Sequence, residues 1–263
     1  EMSASLVGSE MCIRDRDQEG KLEKAGEAVK LLKSERQDKI LDILLVEKKI
    51  IASEMSVRLG VSEDTIRRDI KELDQKGLLK KVHSGAVRNG PAKTGFCQRM
   101  GIDLDEKIRI AKKGTALIKP DSVVMIDDGT TNYQLVKQLD KRIACTIITN
   151  SIPIVSLLED YPNVKVITLG GNLFKPSMSN LGYETIKQLD SLHPDLYFMG
   201  IYSISNEVGI THSAIDECQL KQKMLSVSFQ TAALVTKEKM GSVSNYVVCK
   251  TSDITYLITD ADE

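Results

Sequence analysis

Asp127-Asp128-Gly129-Thr130-Thr131 places two carboxylates, a glycine and two hydroxyls in five consecutive residues. Such a run suits a phosphate cradle. The glycine permits a tight turn, and the threonine hydroxyls lie beside the free N–H groups of a helix expected to start near Asn132. Taken alone, Asp127 reads as a helix cap and each nearby glycine as a turn former. Small or polar residues recur, however, at Asn150-Ser151, at Gly170-Gly171-Asn172 and at Gly200, each just after an apolar run. Glu217 and Lys221 stand four apart on a helical stretch, as an acid–base pair or as an ion pair worth about 0.2–0.5 kcal/mol. A structural or ligand-orienting role is expected for them; the loop histidine His212 could touch ligand, though a loop histidine is more often uninvolved.

A different chemistry belongs to Gly60 through Leu73. Ser62 can cap a helix, and Glu63 and Asp64 suit the positive end of its dipole. Ile66, Ile70 and Leu73 form one apolar stripe, so Arg68, about 200° from Ile66, faces outward with Thr65, Arg67 and Lys71 beside it. In isolation this is a solvated surface helix. Its surroundings argue for more: Glu54 to Leu59 reads as a short helix ending at Gly60, giving helix, turn and helix in order. Downstream, Leu78 to Val82 reads as a strand, His83 to Ala86 as a turn and Val87-Arg88 as a return strand. Together they make a basic wing with Lys80, Lys81, His83 and Arg88 placed for phosphates.

These residues must be positioned by two kinds of architecture. Ser34 is expected to open the first helix in a Ser-x-x-Gln capping box with Gln37, burying Ile40, Ile43 and Leu44, with Leu41 and Leu45 widening that face. Ser53 is expected to cap a short second helix. From Gly90 to Gly95 the composition turns to linker residues. Beyond it, strands are expected at 123–126, 146–149, 164–169, 196–199, 232–235 and 255–258. They alternate with helices near 104–118, 132–139, 153–159, 181–189 and 215–228. This alternation predicts a largely parallel, helix-covered sheet, with ligands at the carboxyl ends of its strands. The resulting division is a lead-in over 1–33, a winged helix-turn-helix over 34–90, a linker over 91–103 and an α/β effector domain over 104–263. Residues 1–16 resemble a translated sequencing-adapter artefact, so the lead-in is expected to be non-native or disordered.

At this point a family resemblance is plain. Residues 36–88 resemble the DeoR-family winged helix-turn-helix in Ser62-x-x-Thr65-Ile66-Arg67-Arg68-Asp69, Gly77-Leu78-Leu79 and His83-Ser84-Gly85-Ala86, with Ser84 replacing a wing glycine. Ile126 to Thr131, Thr149-Asn150, Leu169-Gly170-Gly171, Phe198-Met199-Gly200, Lys239 and Thr259-Asp260 match the marks of that family's effector domain, which resembles ribose-phosphate isomerases. The resemblance implies a Rossmann-like α/β effector domain and a regulator of sugar-metabolism genes, a repressor in the usual case. Its partners would be a double-stranded DNA operator and a phosphorylated sugar or polyol. It implies DNA contacts from Ser62, Thr65, Arg67, Arg68, Lys71, Lys80, Lys81, His83 and Arg88. Effector contacts would come from Asp127, Asp128, Gly129, Thr130, Thr131, Asn150, Gly170, Gly171, Gly200, Glu217, Lys221 and Lys239. Asp128 stands where the family often has a small residue; either it turns from the phosphate toward Lys221 or Lys239, or the ligand carries less charge there. The family usually continues past Glu263, so a shortened C-terminus is expected.

Composition sets the bounds. The 263 residues carry 36 Lys and Arg against 37 Asp and Glu, and residues 36–88 hold 12 basic and 9 acidic residues, a surplus of three. So small a surplus makes DNA affinity depend on charge placement and on assembly into a dimer or tetramer. Five scattered cysteines and three histidines suggest no zinc site or disulfide framework and fit a reducing cytoplasm. No membrane span, cofactor, metal or catalytic residue is expected. The competing readings are a phosphosugar isomerase-like enzyme with an accessory nucleic-acid-binding domain, and a protein-interaction module. The exposed Arg67, Arg68 and basic wing fit DNA better than the latter.

Overall fold

The computed structural model describes residues 31–91 and 94–260. The reading of the chain's first 30 residues and that of its last three lie outside the described residues.

The first part is a winged helix: α1 (Lys33–Glu47), β1 (Lys49–Ile51), α2 (Ala52–Leu59), α3 (Glu63–Gln75), β2 (Lys80–Val82) and β3 (Gly85–Asn89). Ile66, Ile70 and Leu73 are buried as their spacing requires, against Ile40, Leu44 and Met55. The caps correct two expectations. Leu32, not Ser34, caps α1, its N–H donating to Glu35 Oε2 at 2.9 Å. Ile51, not Ser53, precedes α2. Gln37 turns inward instead, donating to Asp69 and Glu72 on α3. Leu45, expected to widen the buried face of α1, is 63% exposed. The wing closes with a two-residue turn at His83-Ser84. Gly85 is required there by close approach: a Cβ would lie 1.9 Å from the Ile50 carbonyl oxygen of the paired β1.

The second part begins with α4 (Phe96–Gly101), a short helix inside the stretch expected as linker, where Phe96 packs edge-on against Tyr133. It continues through α5 (Leu104–Thr115), β4 (Val123–Ile126), α6 (Thr130–Lys137), β5 (Cys145–Thr149), α7 (Ile152–Leu158) and β6 (Val164–Thr168). Then follow the hairpin β7 (Asn172–Phe174) and β8 (Ser179–Leu181), α8 (Tyr183–Gln188), β9 (Leu196–Met199), β10 (Ser203–Ser205) and β11 (Gly209–His212). The chain ends through α9 (Ile215–Val227), β12 (Gln230–Val235), β13 (Ser242–Val243), β14 (Tyr246–Cys249) and β15 (Tyr256–Thr259).

Six of these strands form an all-parallel sheet in the order β15-β12-β9-β4-β5-β6. Strand alternation decides both faces: Val124, Ile126, Leu196 and Phe198 pack under α5, α6 and α7, whereas Met125, Tyr197 and Met199 pack under α9. The chain winds outward in both directions from β4 and β9. Their carboxyl ends therefore form the topological switch point, the crevice where open α/β sheets bind ligands.

The two parts also share a strand pair. β13 of the second part runs parallel to β3 of the wing, with Ser242 opposite Arg88 and Val243 opposite Asn89.

Candidate functional site

Helix α3 starts as its sequence dictates. Ser62 Oγ accepts from the Thr65 N–H at 3.2 Å and lies 2.8 Å from Thr65 Oγ1. Arg67, Arg68 and Lys71 are exposed. Arg67 pairs with Glu63 at 2.6 Å and reaches the His83 carbonyl at 3.5 Å, so the structure brings helix and wing tip together. Arg68 pairs with Asp64 one turn back. Lys80, Lys81 and exposed His83 line the wing hairpin, while Arg88 stands on β3 opposite β13, at the junction with the second part. Asp69, the last residue of the signature, does not face outward. It is buried and bonded to Arg36 at 2.5 Å, clamping α3 to α1.

At the switch point lies a cavity of about 400 Å³. Asp128, Gly129, Thr130 and Thr131 line it from the β4–α6 connection, Gly200 from the end of β9, Glu217 and Lys221 from α9, and Lys239 from the turn after β12. Four of the expected effector residues stand outside the lining. Asp127 is fully buried beneath the cavity, and Asn150, Gly170 and Gly171 belong to the neighbouring β5–β6 end. Asn150 donates to the Asn180 carbonyl of β8 and the Gly170 N–H to Gln188 of α8, so both serve local structure beside the β7–β8 hairpin.

Asp127 is fully buried and engaged by protein groups. Its carboxylate accepts from Lys221 Nζ at 2.6 Å, Tyr197 Oη at 2.9 Å, the Gly200 N–H at 3.1 Å and the Asp128 N–H at 2.8 Å. Lys221 also meets Asp128 at 3.0 Å and Glu217 at 3.4 Å. Burial opposes its charge, but three carboxylates carry its pKa well above the usual lysine value. Burial likewise pushes Asp128 upward, and the Lys221 ammonium outweighs it, leaving Asp128 at about 2. Glu217, buried and facing Asp128, is raised to about 7. His212, which also lines the cavity, is lowered by burial and by Lys221 to about 3 and accepts from the Ala214 N–H. Gly200 is compulsory in this cluster, since a Cβ would lie 2.5 Å from the Asp128 carbonyl oxygen. Asp128 therefore turns to Lys221.

Cations line the cavity as well, together with the carboxylate of Glu238. Arg99 of α4, Lys107 of α5 and Lys239 all line the cavity. Lys107 Nζ donates to the Arg99 carbonyl at 2.6 Å and to the Ile102 carbonyl, and Lys239 Nζ to the Ile201 carbonyl at 2.5 Å. Among the described residues no carboxylate forms an ion pair with any of these three. Burial, reinforced by the charges of Arg99 and Lys107, lowers Lys239 to about 8. Thr131 Oγ1, buried in the first turn of α6, has no hydrogen-bond partner. Sequence reasoning missed Arg99 and Lys107 because they sit in or next to the stretch expected as linker; an arginine and a lysine eight residues apart give no local signal.

Comparison with known proteins now fits this geometry. A model of the DeoR-like helix-turn-helix domain matches residues 36–92, and one of the DeoR C-terminal sensor domain matches residues 102–261. The chain belongs to the DeoR family. It is 34% identical to the HTH-type transcriptional regulator GolR of Listeria innocua over 86% of this chain and 90% of that protein. It is 32% identical to the HTH-type transcriptional repressor GlcR of Bacillus subtilis over 88% and 89%. Among solved structures, a ribose 5-phosphate isomerase A from Methanocaldococcus jannaschii aligns with 52% of this chain and 55% of its own, at 17% identity and a TM-score of 0.39, a distant likeness of fold. This DeoR-family member is thus a DNA-binding transcriptional regulator with an α/β sensor domain. No helix among its described residues is long and apolar enough to cross a membrane.

Proposed function

We propose that the chain represses sugar-metabolism genes and that a phosphorylated sugar or polyol in the switch-point cavity tunes its grip on operator DNA. One observation supports this above others: three cations line the cavity, Lys107 and Lys239 held only by carbonyl oxygens and Arg99 without a carboxylate partner, together with the α6 N-terminus and the unpartnered Thr131 hydroxyl. Buried positive charge without a counter-ion is costly, and a phosphate supplies one. The carboxylate side of the cavity suits sugar hydroxyls. DNA contacts fall to Ser62, Thr65, Arg67, Arg68, Lys71 and the wing, with Arg88 contributing through the junction strand.

Turnover is not part of this reading. Lys221 cannot accept a proton while three carboxylates hold its ammonium. Binding alone suffices, because a ligand that prefers one of two forms shifts their equilibrium. A basic surplus of only three on the winged helix favours a homo-oligomer that presents several modules at once. Light scattering should show at least a dimer.

The test is calorimetry and thermal shift with glucose 6-phosphate, fructose 1-phosphate and sorbitol 6-phosphate beside their unphosphorylated parents. A phosphorylated ligand should bind, Arg99→Ala and Lys239→Met should each weaken it at least tenfold, about 1.4 kcal/mol, and no isomer should accumulate. Tight binding of a parent sugar alone would overturn the phosphate assignment, and turnover would restore the isomerase-like alternative.

A further inference from the structure

Tyr202 follows β9 by three residues and stands between two cavities. With Pro91 and Ser213 it lines the 400 Å³ effector cavity, and the same three residues line a second cavity of about 310 Å³. That second space opens between Leu79, Lys80 and Asn89 of the winged helix and Val243 to Asn245 of the sensor domain. The Tyr202 hydroxyl donates to the Pro91 carbonyl, and its ring lies 4.9 Å from that of His212. Gly90 is fitted against it: a Cβ there would lie 2.7 Å from Tyr202 Cε1 and 2.4 Å from Ser244 Oγ.

Both strands of the interdomain joint lead into the effector cavity. β3 leaves the wing through Gly90, whose N–H donates to the Val243 carbonyl at 3.0 Å, and reaches the cavity wall at Pro91. β13 is entered from Lys239, whose carbonyl accepts from Ser242 Oγ at 2.8 Å. The Lys239 ammonium meanwhile holds the carbonyl of Ile201, the residue before Tyr202. The wing is gripped again by Glu207, which meets Lys49 and Ser84.

We propose that Tyr202 is the positioning residue that couples occupancy of the effector cavity to the placement of the wing. This rests on reading the cavity as the effector site. An anion that draws Lys239 from the Ile201 carbonyl frees the segment carrying Tyr202. The hydroxyl bond to Pro91 then moves with it, and the pull passes through Gly90 into β3. The Tyr202 hydroxyl meets the backbone carbonyl of Pro91, two residues past β3, so the coupling does not depend on which sugar binds.

A double-mutant cycle tests this without a ligand or an operator. Lys239→Met, Tyr202→Phe and the double variant are compared with the unaltered chain by hydrogen exchange at the amides of Lys80 to Asn89. Phenylalanine keeps the wall between the cavities and removes only the bond to Pro91. Lys239→Met should change exchange in β3 about threefold or more, and by much less in the Tyr202→Phe background. Equal changes in both backgrounds, or none in either, would overturn the coupling. Arg99→Ala serves as a second cavity change should Lys239→Met fold poorly. Glucose 6-phosphate is then added to the unaltered chain and to Tyr202→Phe. Thermal shift in both with a wing response only in the first supports the proposal; a wing response in both overturns it. A cycle that holds while no phosphorylated sugar shifts melting would sink the effector assignment and leave the coupling standing.

Discussion

Helix α3 and the floor of the switch-point cavity both pair lysine or arginine with carboxylates four residues away, yet the pairs do opposite things. Arg67–Glu63 and Arg68–Asp64 are exposed, with side-chain exposures of 48% and 75% for the arginines. Water screens such pairs, so they contribute tenths of a kcal/mol and leave the guanidinium groups free to take another anion. Lys221–Glu217 is 2% and 3% exposed, and Lys221 also serves Asp127 and Asp128. There the charges hold one another and cannot be traded. The same i, i+4 spacing thus makes a replaceable contact on a surface and a fixed scaffold in a crevice.

The contrast breaks most visibly at Lys221. Lys221→Met leaves buried carboxylates unpaired and should lower the unfolding free energy by about 3–5 kcal/mol, read from urea denaturation. Asp69→Ala removes the clamp between α3 and α1, and should cost about 2–3 kcal/mol in the same assay, less because Arg36 is 12% exposed and can rehydrate. Arg68→Ala should leave stability within about 0.5 kcal/mol while weakening operator binding by about 1–3 kcal/mol at fixed salt. Lys81→Ala should weaken all DNA alike and reduce the salt slope by about one. Unchanged DNA affinity in Arg68→Ala would undo the assignment of the open face.

A pH experiment sharpens the comparison at its smallest scale. Glu217 is raised from 4.5 to about 7, so between those values the folded chain binds more protons there than the unfolded chain. Its contribution to stability therefore falls as pH rises through that window. His212, lowered from 6.5 to about 3, works the other way across its own window. Stability of the unaltered chain relative to Glu217→Gln should decline from about pH 4.5 to about 7 and run parallel above it. A flat difference would mean that Glu217 titrates as if exposed.

Period-2 and period-3.6 patterns made the sheet and its helices legible, and each of the six parallel strands starts within two residues of its expected place. The strand order followed from neither pattern, because pairing partners are long-range. The strand-end residues were legible as a rim, but burial divided them: Gly129, Thr130 and Thr131 face the cavity, whereas Asp127 is consumed by Tyr197, Gly200 and Lys221. Arg99 stayed hidden because composition marked its neighbourhood as linker. Asp69 was given no role beyond its place in the motif, although it falls three residues after Ile66 and so on the buried side.

The pairing of β13 with β3 extends over two residues on each strand. A seam that short contributes on the order of 1–3 kcal/mol, since each backbone hydrogen bond adds about 0.5–1.5 kcal/mol net. A metabolite at a hundred times its dissociation constant brings about 2.7 kcal/mol to the form it prefers. The two quantities are of the same order, so if a metabolite in the switch-point cavity prefers the form in which this seam is open, its binding alone could offset the seam, with no covalent change required.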